Sequence, residues 1–221
     1  MLSTVIVKAQ TADEVIAKYI NDIGVADEWK KVNSLKMEVA MQVQGVDVSV
    51  IMTSVHQKGR RQDISAIGMS GFMILAPAAG WNYMPFNGQT APEPMTAEDV
   101  EASQPQLDLH GSLIDYAAKG HTVELIGKDD VDGTECFKMK VNYKSGTTET
   151  MYFDSKNYYL IRSVAKRKAN GQEVEMTTSF SNYEKLPEGI LIPKSITQAF
   201  GELNLTKITV NGPVDETIFK N

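Results

Sequence analysis

The sequence predicts a mostly β, α+β fold. It is an unclosed antiparallel barrel of about ten or eleven strands around an apolar interior, with helices confined to the N-terminus and the middle of the chain. Three observations carry this. From Leu35 onward, apolar residues recur at every second position, the period of a half-buried strand. The runs are separated by explicit turn pairs, Gln44-Gly45, Asp132-Gly133, Ser145-Gly146, Asn170-Gly171 and Glu188-Gly189, which favour tight hairpins. No strand–helix–strand alternation occurs, so a parallel sheet is not expected.

The elements follow in order. Val15, Ile16, Tyr19, Ile20 and Ile23 fall on one face of a helix over residues 11–23, with Thr11 as cap, Asp13 and Glu14 in the first turn and Gly24 as terminator. A short helix over residues 27–32 carries Trp29. Leu35, Met37, Val39, Met41 and Val43 then alternate with polar neighbours, and Val46, Val48, Val50 and Met52 repeat the pattern after the turn. A third strand is expected near residues 61–67. Gly68 to Ala79 is apolar and rich in Gly, Ala and Met, and reads as a loose lid; residues 87–120 read as a helical lid insert in a single domain over 11–221. Within the insert, Thr96 with Asp99 starts a short helix over residues 97–103, and residues 107–119 form a second helix ended by Gly120. The remaining strands run from Val123 to Val210. The last one changes the parity of its apolar residues, so a bulge is expected there.

The chain has 221 residues, 42% of them hydrophobic, which suits one domain with a real core. A net charge of −6 excludes a nucleic-acid partner and adhesion to anionic lipid by charge alone. Cys136 is the only cysteine, so neither an internal disulfide nor a cysteine-based metal cluster can form, and no N-terminal lipoprotein anchor is expected. Residues 1–10 read as the remnant of a signal peptide: Leu2 to Val7 is mostly apolar and Val7-Lys8-Ala9 fits a cleavage site. The expected location is the periplasm. No stretch approaches the roughly 20 apolar residues of a membrane span.

Catalytic patterns are missing. His56, His110 and His121 lack metal spacing, no Gly-x-Ser-x-Gly elbow occurs, and the glycines of Gly68-Met69-Ser70-Gly71 precede no basic residue. Cys136 reads as structural. No enzyme activity, cofactor or metal is expected. What remains is apolar. There are eleven methionines, side chains that adapt to ligands of variable shape. The candidate lining residues are Met37, Val39, Met41, Val50, Met52, Met73, Trp81, Tyr83 and Met139. Each methionine alone reads better as core, the group with the Gly/Ala-rich apolar segment above it suits an acyl chain, and which parity of each strand faces inward is open.

The whole pattern resembles the LolA/LolB-like superfamily, and more closely a group of exported Bacteroidetes proteins described as outer membrane lipoprotein-sorting proteins. The matching pieces are Ala12-Asp13-Glu14-Val15-Ile16, residues 80–86 (Gly-Trp-Asn-Tyr-Met-Pro-Phe), residues 120–128, Tyr152-Phe153-Asp154 and residues 214–219; their order along the chain is the signal. The resemblance implies a carrier for acyl chains or lipoproteins, without cofactor; a monomer is expected. It also implies a role for an arginine beside a proline after the second strand. That region here reads His56-Gln57-Lys58-Gly59-Arg60-Arg61, without proline, and Lys58, Arg60 and Arg61 are the candidates for contact with a partner. The alternative is an envelope protein-interaction module, for which the basic strand bearing Arg162, Lys166, Arg167 and Lys168 is the candidate surface.

Overall fold

The computed structural model describes residues 10–169 and 172–221, and their side chains outside 167–173. The signal-peptide remnant, Gln10 apart, and the Asn170-Gly171 turn lie outside the described residues.

The chain opens with α1 (Ala12–Asp22) and α2 (Ala26–Lys30). Thr11 caps α1 in a capping box: its Oγ1 accepts the Glu14 N–H at 3.2 Å, and Glu14 Oε2 accepts the Thr11 N–H at 2.9 Å. The Trp29 indole N–H donates to the Ile23 carbonyl at 2.9 Å, fixing the angle between the two helices.

Among the described residues thirteen strands follow: β1 (Ser34–Val43), β2 (Val46–Val55), β3 (Gly59–Ala66), β4 (Met69–Leu75), β5 (Gly80–Tyr83), β6 (Glu93–Pro94), β7 (Thr122–Val131), β8 (Thr134–Asn142), β9 (Thr148–Asp154), β10 (Leu160–Ala169), β11 (Gln172–Lys185), β12 (Leu191–Gln198) and β13 (Gly201–Val210). The expected ten or eleven is exceeded because β4, β5 and β6 extend the sheet. Residues 68–79 are therefore not a loose lid. Ile67 (φ 48°) and Gly68 (φ 76°) make the tight turn that returns the chain as β4.

All strands join one antiparallel sheet in the order β6-β5-β4-β3-β2-β1-β13-β12-β11-β10-β9-β8-β7. Every neighbour pair is consecutive in sequence except β1 with β13. The expected bulge is in β13: Glu38 pairs with Lys207 but Val39 with Leu205, so Thr206 is the extra residue. Its Oγ1 donates to the Glu38 carbonyl at 3.1 Å.

The two edges of the open sheet are β6 and β7, so the segment joining them, residues 95–121, must pass from one edge to the other. This strap holds α3 (Ala97–Ser103), capped by Thr96 as expected, and a 3-10 turn over Gln104–Leu107. The expected helix over 107–119 does not form; residues 108–120 run through turns, with Gly111 at φ 75° and Asp115 at φ 54°. Its apolar residues serve different cores instead of one stripe. Leu107 packs with Leu75 and Val100, Leu109 against the core beneath α2, and Leu113 against the core beneath α1.

Those two larger cores lie on one face of the sheet. Beneath α1, Val15, Ile16 and Leu113 meet Phe137, Met139, Val141, Met151 and Phe153. Beneath α2, Val32 meets Leu35, Val39, Val50, Met52, Ile190, Ile192 and Leu205. The outer face near the chain end is covered by a 3-10 turn, Glu216–Phe219. A Cβ on Gly59 would overlap the Phe219 ring, so only glycine admits this close approach.

Candidate functional site

Cross-strand registers show which side chains share the inner face, because directly paired residues point the same way. Four rows cross β1 to β4. From the helix-covered mouth outward they are Leu35–Ser54–Arg60–Leu75, Met37–Met52–Gln62–Met73, Val39–Val50–Ile64–Gly71 and Met41–Val48–Ala66–Met69. Six of the predicted lining residues, Met37, Val39, Met41, Val50, Met52 and Met73, are thus brought onto one face. Met139 lies on the same face, reached through the row Met139–Met151–Ser163–Thr178, but it is fully buried beneath α1. Trp81 and Tyr83 are not brought together with them. They pair with Ile74 and Phe72, which alternate with Met73 and so face outward.

Coverage of the inner face is uneven. Val39 and Val50 are buried in the core under α2. Met41, Val48 and Ala66 in the last row are only half-buried, and Met69 and Met73 remain 37% and 36% exposed. On the far side of the same face, Phe180 pairs with Ile196, and that parity continues along β11 to Met176, 44% exposed. The open part of the face lies toward the turns 44–45, 67–68 and 199–200, away from the helices. Gly71 lets the chain fold over this face: a Cβ there would collide with the Tyr83 carbonyl and crowd Pro85 and Phe86. This open stretch, the trough of the inner face, comprises Met41, Val48, Ile64 and Ala66, with Met69 and Met73 beside them.

The three basic candidates separate. Lys58 is exposed and pairs with Glu216 at 2.6 Å. Arg61 points outward, where it pairs with Asp63 at 2.8 Å, donates to the Ile218 carbonyl at 3.2 Å and lies 4.7 Å over the Phe72 ring. Arg60, one residue earlier, points inward. Its Nη2 approaches Met52 Sδ at 3.3 Å, while its Nε is buried with no hydrogen-bond partner. Burial lowers its pKa, yet a guanidinium stays charged. A charged side chain therefore sits under the strap with a donor unused.

The strap is fastened to the turn after β2 by a cluster that sequence spacing did not reveal. The Gln57 N–H donates to the Leu107 carbonyl at 2.9 Å. The His56 and His110 rings stack with centroids 3.8 Å apart, and Asp108 lies between them and Lys119. Burial and the neighbouring His110 lower the pKa of His56. Asp108 and His110 are two residues apart, but nothing local in the sequence points to His56.

Two other features bear on function. Cys136 is fully buried, and burial pushes its thiol up to about 11, so it stays protonated and unreactive at neutral pH. The basic strand β10 is internal, between β9 and β11, and so is not a pairing edge; Arg162 is held by Asp132 at 2.5 Å.

No protein-family model and no curated protein matches the sequence. Solved structures do match. A LolA superfamily protein from Nitrosomonas europaea superposes with a TM-score of 0.59 at 12% identity, covering 96% of this chain and 99% of that one. A DUF1329 family protein from Desulfovibrio piger gives 0.61 at 13%, covering 96% and 98%. An outer membrane lipoprotein-sorting protein domain from Vibrio parahaemolyticus gives 0.50 at 13%, covering 84% and 88%. The chain shares with these structures the fold of an open antiparallel sheet with helices packed on one face.

Proposed function

We propose that the protein is a non-catalytic periplasmic carrier or binding protein for the acyl chains of lipoproteins or lipids, acting as a monomer. The observation that carries this is the uncovered end of the inner face. A sheet face whose mouth end is packed to full burial continues into rows whose methionines and valines are left half-exposed. A contiguous apolar surface of this kind marks a binding site. Its chemistry suits a hydrocarbon chain: apolar walls of flexible thioether side chains and few polar groups to orient a reaction. Arg60 supplies, at the mouth end of the same face, a buried donor without a partner, suited to the carbonyl or carboxylate that terminates an acyl chain. The similarity to a lipoprotein-sorting domain supports the reading.

Native mass spectrometry tests it. Protein purified from a lysate that still contains membranes is expected to carry an adduct whose extracted mass is that of a lipid or acylated peptide. A clean protein that also fails to take up added fatty acid or lipopeptide would overturn the proposal and leave an envelope interaction module as the better reading.

A further inference from the structure

We propose that His56, Asp108 and His110 form a binding site for one late first-row divalent cation, with Zn²⁺ as the probe ion, which cross-links the strap to the sheet. Two imidazoles and a carboxylate are a donor set that such ions favour. One donor atom from each residue lies within 4.8 Å of the other two, and all three residues are half-buried. Tetrahedral Zn²⁺ with bonds of about 2.0–2.1 Å places its donors ~3.3 Å apart. Closing the cluster therefore takes a movement of ~1.5 Å at most, within the reach of side-chain rotation.

Three features favour the site. His110 Nε2 lies 3.3 Å from the Val32 carbonyl; with that nitrogen donating, Nδ1 keeps its lone pair for a metal, the arrangement by which a second contact orients a ligating histidine. His56 also lines a hollow of about 390 Å³ with Asn33 and Lys58, so the cluster is reached from solvent on the His56 side. Asp108 already attracts a cation: Lys119 Nζ lies 2.5 Å from its Oδ2 and 2.6 Å from the Gly111 carbonyl. Lys119 is thus the competitor a metal must displace. Binding also requires His56 Nδ1 to give up the Leu109 N–H it accepts at 3.2 Å, and the stacked rings to splay apart. Asp108 and His110 belong to the strap and His56 to the turn between β2 and β3, so a bound ion would hold shut the contact that closes the mouth of the sheet. This site is independent of the acyl-chain proposal, since none of its residues lines the trough.

The test is Zn²⁺ titration by calorimetry of untagged, chelator-stripped protein at pH 7.5. The expected result is one ion per chain. His110→Gln and His56→Asn are each expected to weaken binding at least ~10-fold, and Lys119→Gln to tighten it by ~10-fold. The asparagine at position 56 can still accept the Leu109 N–H, and melting in chelator confirms that each variant folds. Amide exchange over residues 107–111 is expected to slow with Zn²⁺ in the parent protein but not in His110→Gln. No stoichiometric binding, or binding unchanged in both histidine variants, would overturn the proposal. So would weaker binding in Lys119→Gln.

Discussion

Met41→Glu is expected to weaken binding of a long-chain acyl probe by about 30- to 100-fold while leaving the protein folded. Met41 stands in the outermost inner-face row with Val48, Ala66 and Met69, where the trough is open. A carboxylate there stays solvated in the free protein because the position is only half-buried. An acyl chain lying against it would strip that water away, and desolvating a charge without a partner costs about 2–3 kcal/mol or more. The matched control is Ala40→Glu. Ala40 is the adjacent residue on the same strand, faces outward and is exposed, so the same charge there is expected to change affinity by less than about twofold, within the ±0.5 kcal/mol usual for surface substitutions. Fluorescence titration with a labelled fatty acid reads both. Equal losses at positions 40 and 41 would show that the inner face is not the binding surface.

Arg60→Met is expected to separate stability from binding. Arg60 is a half-buried cation whose Nε is buried without a hydrogen-bond partner and whose Nη2 lies 3.3 Å from the Met52 sulfur. Replacing a poorly paired buried ion with an apolar side chain of similar length commonly stabilises a protein by about 1–4 kcal/mol. For a chain of this size that is a rise in melting temperature of about 2–4 °C per kcal/mol. The same change removes an unpartnered buried donor at the mouth end of the inner face, one row from Met73. Affinity for a fatty acid or fatty ester is expected to fall by about tenfold, the worth of one hydrogen bond to a charged group, while affinity for an alkane of equal length stays unchanged. Loss of stability without loss of affinity would assign Arg60 a structural role.

Much of the fold is legible in the sequence because its signals are local. Thr11 and Glu14 cap α1, the residue pairs at 44–45 and 132–133 turn their hairpins, and the parity change near Leu205 marks a real bulge. The failures come where tertiary context decides. Residues 69–75 lack strict alternation because β4 is covered on both faces at points, with Ile74 and Leu75 both buried, and so resemble a loose apolar segment. The strap's leucines mimic a helix period although each is claimed by a different core. The candidate site divides along the same line. The odd-numbered residues of β1 and the even-numbered residues of β2 share a face through hairpin register alone. Trp81 and Tyr83 need the β4–β5 register, and Arg60 and Arg61 are separated by the alternation of a strand that begins at Gly59, two residues before the expected start. His56 meets His110 only through the closure of the strap, a contact between residues 54 positions apart that no local pattern encodes.

The most direct test of the central claim is photo-crosslinking with a diazirine-bearing fatty acid, followed by peptide mapping. Saturable labelling concentrated at Met41, Val48, Ile64, Met69 and Met73, and competed by unlabelled fatty acid, is the predicted result. Labelling confined to outward residues such as Trp81, Tyr83 or Ile51, or labelling that does not saturate, would contradict it.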